Sequence, residues 1–254
     1  MNTIAITIKD KLAIISLNRP KSNSLNREMV LELTDMLNNI SVDEYIGGVI
    51  LTGKDHFFSA GLDLMELYNY NEEEAKEFWY LFLNFTATIT AFKKPLVAAI
   101  NGHSPAGGCV IALACDARVM AEGKYIIGLN EVPVGIIVPN SIFELYSFWL
   151  GKADATRSLL EGKLFQPEEA LVIGLIDEVV KQESILTAAE RKVRKYMAYE
   201  RNTWSQSKLN IRKDLIAITS SDQSADLEIM LKQWWSPSTR AILKNIIDSL
   251  QKKA

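Results

Sequence analysis

Apolar residues recur at every second position from the amino end, so Ile4 to Ile8 and Leu12 to Leu17 read as two strands of a hairpin turning at Lys9 to Lys11. The segment LNRPKSNSLN breaks the alternation and is expected as a loop. From Arg27 the spacing changes: Met29, Val30, Leu33, Met36, Leu37 and Ile40 fall on one face of an amphipathic helix. Gly47 to Leu51 returns to strand. Further helices are expected at Glu73 to Thr90, Pro105 to Ala114 and Ser141 to Leu150. Pro167 suits a first helical position, with Glu168 and Glu169 in the first turn and Gly174 as the stop, followed by a strand from Leu175 to Val180.

Beyond Glu183 the strand signals fade. Helices are expected over 183–199, 202–218, 222–234 and 237–252, the last capped by Ser236. Trp234, Trp235 and the stripe Ile242, Ile246, Ile247, Leu250 give these helices more apolar surface than they can hide from one another, so they should pack on the main body or on another subunit. The expected organisation is an α/β core over 1–195 and a helical region over 196–254.

One pattern occurs twice. GGVILTG is followed by FFSAGLDLMEL, and PLVAAING by HSPAGGCVIAL: a buried strand, a loop, Ala-Gly, then a helical run. This weak internal similarity suggests stacked strand-strand-helix units. Glycine at such a bend can serve dihedral freedom or close packing alone. Two similar bends admit a second reading, in which backbone N–H groups at the bends converge on one developing oxyanion. In YIIGLNEVPVGIIVP, residues 125 to 139, Glu131 is the only acid in an apolar stretch; it is either a loop carboxylate facing solvent or a buried base whose pKa is raised by desolvation.

The 254 residues carry 28 Lys plus Arg against 31 Asp plus Glu, a formal charge of −3 that offers no field for a nucleic-acid partner. No apolar run is long enough for a membrane span, and no leader is visible, so a cytoplasmic location is expected. Cys109 and Cys115, both in an apolar stretch, suit reduced buried thiols. The two histidines, His56 and His103, share no spacing that would hold a metal, so none is expected; His103 is expected to satisfy loop hydrogen bonds rather than line a pocket. Ser59 and Ser104 lack an evident base and acid, and the basic residues between Arg191 and Lys213 read as a solvated helix face.

Several of these segments together, namely SLNRP with NSLN, GGVILTG with FFSAGLDL, KPLVAAINGHSPAGGCVIALACDARVMA, LNEVPVGI and EGKLFQPEEALVIGLIDEVV, resemble the crotonase (enoyl-CoA hydratase/isomerase) superfamily along nearly the whole chain. The resemblance implies a spiral of ββα repeats, a C-terminal all-helical trimerisation region, and a homotrimer or dimer of trimers. It also implies an acyl-CoA thioester as substrate, coenzyme A being part of that substrate and no separate cofactor being needed. Carried over by motif, the oxyanion donors are the amides of Leu62 and Gly107, while Ala60, Gly61, Asp63, Leu64 and Gly108 line the substrate site. Hydratases of the superfamily use two glutamates. Here the first position is Val110 and only the second, Glu131, is acidic, so the chain is most similar to the mitochondrial-type isomerases that move a 3-enoyl double bond. Hydration, another crotonase-type reaction on acyl-CoA, and a non-catalytic acyl-CoA or RNA-binding role are the rival readings.

Overall fold

The computed structural model describes residues 2–54 and 56–252. Eight strands follow one another along these residues: β1 (Ile4–Lys9), β2 (Leu12–Leu17), β3 (Gly48–Thr52), β4 (Leu96–Ile100), β5 (Ser104–Pro105), β6 (Ala117–Ala121), β7 (Ile127–Gly128) and β8 (Glu178–Val180). Six of them form one sheet in the order β1-β2-β3-β4-β6-β8, antiparallel at the hairpin and parallel beyond it; β5 and β7 form a small parallel sheet.

Alternation along the strands decides which layer each side chain joins. Leu96, Ala98 and Ile100 of β4 point into the main core, whereas Val97 and Ala99 point to the other face. In β3, Val49 and Leu51 divide from Ile50 in the same way. The main core is closed by α1 (Arg27–Val42), α3 (Glu72–Thr90) and α4 (Gly107–Ala114), with the short α2 (Leu64–Tyr68) between the first two. After α5 (Asn140–Glu161) and α6 (Pro167–Val172), helix α7 (Ile185–Met197) covers the opposite face through Ile185, Ala188, Ala189 and Val193. Residue 195, where the sequence reading divided the chain, lies in the last turn of α7.

The elements differ from their sequence expectations at identifiable points. Strand β6 was not expected, because Arg118 interrupts its apolar run; the guanidinium is fully buried, 3.6 Å over the Trp149 ring and paired with Asp177 at 2.8 Å. Helix α4 begins at Gly107, not Pro105, since Ser104 and Pro105 pair with β7. The expected helix over 141–150 continues to Glu161 across a kink at Gly151 (φ 73°), and the strand expected from Leu175 is ordered as strand only from Glu178. The single helix expected over 202–218 is two, α8 (Arg201–Ile211) and α9 (Lys213–Thr219), and α10 (Ser224–Trp234) and α11 (Pro237–Lys252) complete the chain.

These last helices return to the main body. Trp234 meets Trp79 of α3 edge to face. Thr239 donates to the carbonyl of Gly135, and Arg240 donates to the carbonyl of Tyr68 while lying over its ring. Among the described residues no helix is long and apolar enough to cross a membrane, and no group of His, Cys, Asp and Glu could hold a metal ion.

Candidate active site

Parallel pairing of β3 with β4 brings the two similar bends to the same edge of the sheet, at the carboxyl ends of the strands, where ligands of open α/β sheets bind. The bends touch through the backbone. His103 N–H donates to His56 O at 2.9 Å and Phe58 N–H to His103 O at 3.0 Å. Glycine permits this approach: a Cβ on Gly108 would stand 2.5 Å from the carbonyl oxygen of Ser59.

The first bend also runs beside the loop that follows β2. Leu25 N–H donates to Gly61 O, and Asp63 N–H donates to Leu25 O, at 2.8 and 2.9 Å. With both neighbours committed to Leu25, the N–H of Leu62 points to the other side, toward the second bend. There Gly107 is the first residue of α4, whose N–H has no partner within its own helix. A Cβ on Gly61 would lie 3.2 Å from the Gly107 amide nitrogen, and one on Gly107 would lie 3.3 Å from the Leu62 amide nitrogen. The two amides are thus neighbours, and among the described residues neither donates to an acceptor of the chain. Ala106, between β5 and α4, takes φ 49° and ψ −124°, a costly conformation for a residue with a Cβ, and its N–H is held by Gly128 O at 2.8 Å.

Glu131 reaches the same place from the other side. β5 and β7 pair at Pro105 and Gly128, so Gly107 lies two residues past the pair on one strand and Glu131 three past it on the other. Its carbonyl accepts from Val134 and Ile136, which starts a short 3₁₀ turn over Val132–Val134. Although the residue is half-buried, Oε2 lies out of solvent contact and takes no hydrogen bond. Desolvation therefore raises the carboxyl from 4.5 to about 7, against a smaller opposing effect of the nearby backbone N–H groups of Glu131 and Asn130.

Leu62, Gly107 and Glu131 line one cavity of about 1030 Å³. Ala60, Asp63 and Leu64 are on its wall as well, at the end bounded by Arg19 to Ser22. Gly61 and Gly108 stand behind the wall, where they let the bends pack. Away from the amides the lining is apolar: Val110, Trp79 and Phe82 of α3, Ile136, Val138 and Ile142, with Ile246 and Leu250 of α11. Among the described residues three side-chain carboxylates face the cavity, and two are committed. Asp63 caps α2 and pairs with Arg19 at 2.6 Å; Glu66 accepts from Tyr70 at 2.5 Å and Asn26 at 3.1 Å.

His103 is not on the cavity wall. Its backbone makes the loop hydrogen bonds, while the ring packs against Phe57 and Tyr125 with Nδ1 buried and unpartnered, and burial lowers its pKa. Sequence reasoning missed Arg19 and the wall contributed by α11. The apolar stripe Ile246 and Leu250 was visible, but not the surface it would meet.

Two neighbouring amides without acceptors, a desolvated carboxylate and an apolar cavity thus meet at the edge of a parallel sheet. The chain matches the family model described as enoyl-CoA hydratase/isomerase over residues 7–239. It is 36% identical over 244 residues to the mitochondrial enoyl-CoA delta isomerase 1 of Mus musculus, covering 95% of this chain and 84% of that one. Crotonyl-CoA hydratase of Syntrophomonas wolfei is 33% identical over 190 residues, covering 74% of this chain and 73% of its own. The crystal structure of human mitochondrial delta3-delta2-enoyl-CoA isomerase superposes with a TM-score of 0.95 at 30% identity, covering 99% of both chains. The chain belongs to the enoyl-CoA hydratase/isomerase family.

Proposed function

We propose that the protein isomerises 3-enoyl-CoA to 2-trans-enoyl-CoA, a step of fatty acid beta-oxidation, with Glu131 as its single base. The observation that carries this reading is that, among the described residues, Glu131 is the one carboxylate on the cavity wall with no side-chain partner, its Oε2 taking no hydrogen bond, on the same cavity as two amides without acceptors. Ionised Glu131 takes a proton from C2 of the substrate. The electron pair passes to the thioester oxygen as a dienolate, which the N–H groups of Leu62 and Gly107 stabilise. Protonated Glu131 then returns the proton to C4, and the double bond comes to rest between C2 and C3. Each amide donor contributes on the order of 3 kcal/mol to such a transition state.

Hydration needs a second group to orient water. Val110, where the hydratases carry their first glutamate, supplies none and is buried at the cavity. An assay with 3-enoyl-CoA and 2-enoyl-CoA side by side, across several acyl lengths, separates the two reactions. Isomerisation should exceed water addition by at least about a hundredfold; faster hydration would assign the protein to the hydratases. We further propose self-association as a homotrimer or dimer of trimers, supported by exposed apolar residues such as Leu160 and Val172, 66% and 86% accessible.

A further inference from the structure

The orientation of the Leu62 amide depends on a loop that contributes no reacting group. Residues 19–25, between β2 and α1, lie along the first bend like an added strand: Ala60 N–H donates to Ser22 O, Ser59 Oγ to Asn23 O, and Asn23 Nδ2 to Phe57 O. Leu25 then brackets Leu62 by bonding both of its neighbours. The loop pays for this course with positive φ at Lys21 (72°) and Asn23 (51°), neither of them glycine. Backbone of that kind persists only where its surroundings fix it.

Arg19 supplies the fixing contacts. Its Nη1 donates to Ser24 O at 3.2 Å, inside the loop, and its Nη2 meets Asp63 Oδ2 at 2.6 Å, inside the bend. Its backbone N–H donates to Asn23 Oδ1 at 3.0 Å. Asp63 is held from three directions: its N–H by Leu25, Oδ1 by Met65 and Glu66 N–H groups at the start of α2, and Oδ2 by Arg19. The residue immediately before it is Leu62. Glu66 Oε2, 3.8 Å from the same Nη2, adds a second negative partner.

We propose that Arg19 and Asp63 form a clasp that aims the Leu62 N–H at the thioester oxygen, making Arg19 a positioning residue for the reaction. The inference rests on the oxyanion role proposed above for Leu62. A partly exposed pair adds little to global stability, so its effect should concentrate in the local geometry. A displaced donor still admits substrate but stabilises the transition state less well, which lowers kcat more than it changes KM.

Arg19→Gln and Asp63→Asn test this with 3-hexenoyl-CoA as substrate. Asn is as good a helix cap as Asp, so Asp63→Asn keeps the start of α2 while removing the charge pair. Each variant should lose about tenfold to a hundredfold in kcat, with KM within about threefold of wild type. The double variant should be no worse than about twofold below either single one, because both changes open the same clasp. Arg19→Lys, which can keep the ion pair, should recover part of the loss. The carbonyl stretch of bound hexanoyl-CoA, lowered by the wild-type protein, should move back toward its solution value in Arg19→Gln, a change that a merely structural role would not produce. Wild-type kcat in either single variant overturns the clasp, as does a loss confined to KM, which would make Arg19 a contact for coenzyme A. Glu131→Gln is the control: if it too is fully active, the proposed reaction fails, whereas an inactive Glu131→Gln beside an unaffected Arg19→Gln refutes the clasp alone.

Discussion

At Glu131 an unpartnered Oε2 among apolar side chains makes ionisation costly, which holds the carboxyl near 7 in the folded chain. The native state therefore keeps a proton that the unfolded chain releases near 4.5. The stability linked to that proton is complete below pH 4.5 and is lost as pH rises through about 7, a difference of about 3 kcal/mol. Glu131→Gln should consequently gain that amount on wild type between about pH 4 and about pH 8. Denaturant unfolding at both values checks it, and an equal difference at both would mean a solvated carboxylate. The same ionisation predicts that kcat rises with pH through about 7, read from a pH–rate profile. A lone acid in an apolar run marked Glu131 in the sequence. Asp63 carried no such mark: placing it at the substrate site came from the motif, and its partner Arg19 stands 44 positions earlier, across a helix that pattern alone cannot fold back.

The repeated strand-bend-helix pattern was legible because its period reflects packing: parallel β3 and β4 lie side by side, so similar bends after them must touch. They meet most closely at Gly102, where a Cβ would stand 1.8 Å from the His56 carbonyl oxygen, and again at Gly108. Gly108→Ala would push a methyl group toward the Ser59 carbonyl oxygen at 2.5 Å, and should cost about 1–3 kcal/mol of stability while lowering kcat through both bends. Unfolding and steady-state measurements on one preparation check this; a variant with wild-type stability and rate would show that the bends can part freely. Other elements were hidden for equally physical reasons. β6 carries a buried arginine whose partners, Trp149 and Asp177, come from distant segments. The division between α8 and α9 falls at Arg212, whose guanidinium donates to the carbonyls of Ala114 and Cys115; nothing in the local spacing announces either contact.

Across the whole molecule, the C-terminal helices and the sheet are joined by buried charge as well as by apolar packing. Asp116, between α4 and β6, accepts from Leu96 N–H at 2.8 Å and pairs with Lys208 of α8 at 2.8 Å and Arg212 at 3.3 Å, all three side chains being buried. Removing the anion would leave two buried cations unbalanced. Asp116→Ala should therefore cost about 3–5 kcal/mol, measured by thermal or denaturant unfolding, and a loss below about 1 kcal/mol would show that water reaches the cluster. Trp234 of α10 packs on Trp79 of α3, and Ile246 and Leu250 of α11 line the same cavity as Glu131, so that wall belongs to the same folded body as the carboxylate. The most direct test of the chemistry is to give 3-enoyl-CoA to wild type and to Glu131→Gln while measuring acyl-CoA binding to both. Conversion to 2-trans-enoyl-CoA should fall by at least about a thousandfold in the variant with binding retained; conversion at the wild-type rate would contradict a mechanism built on that one carboxylate.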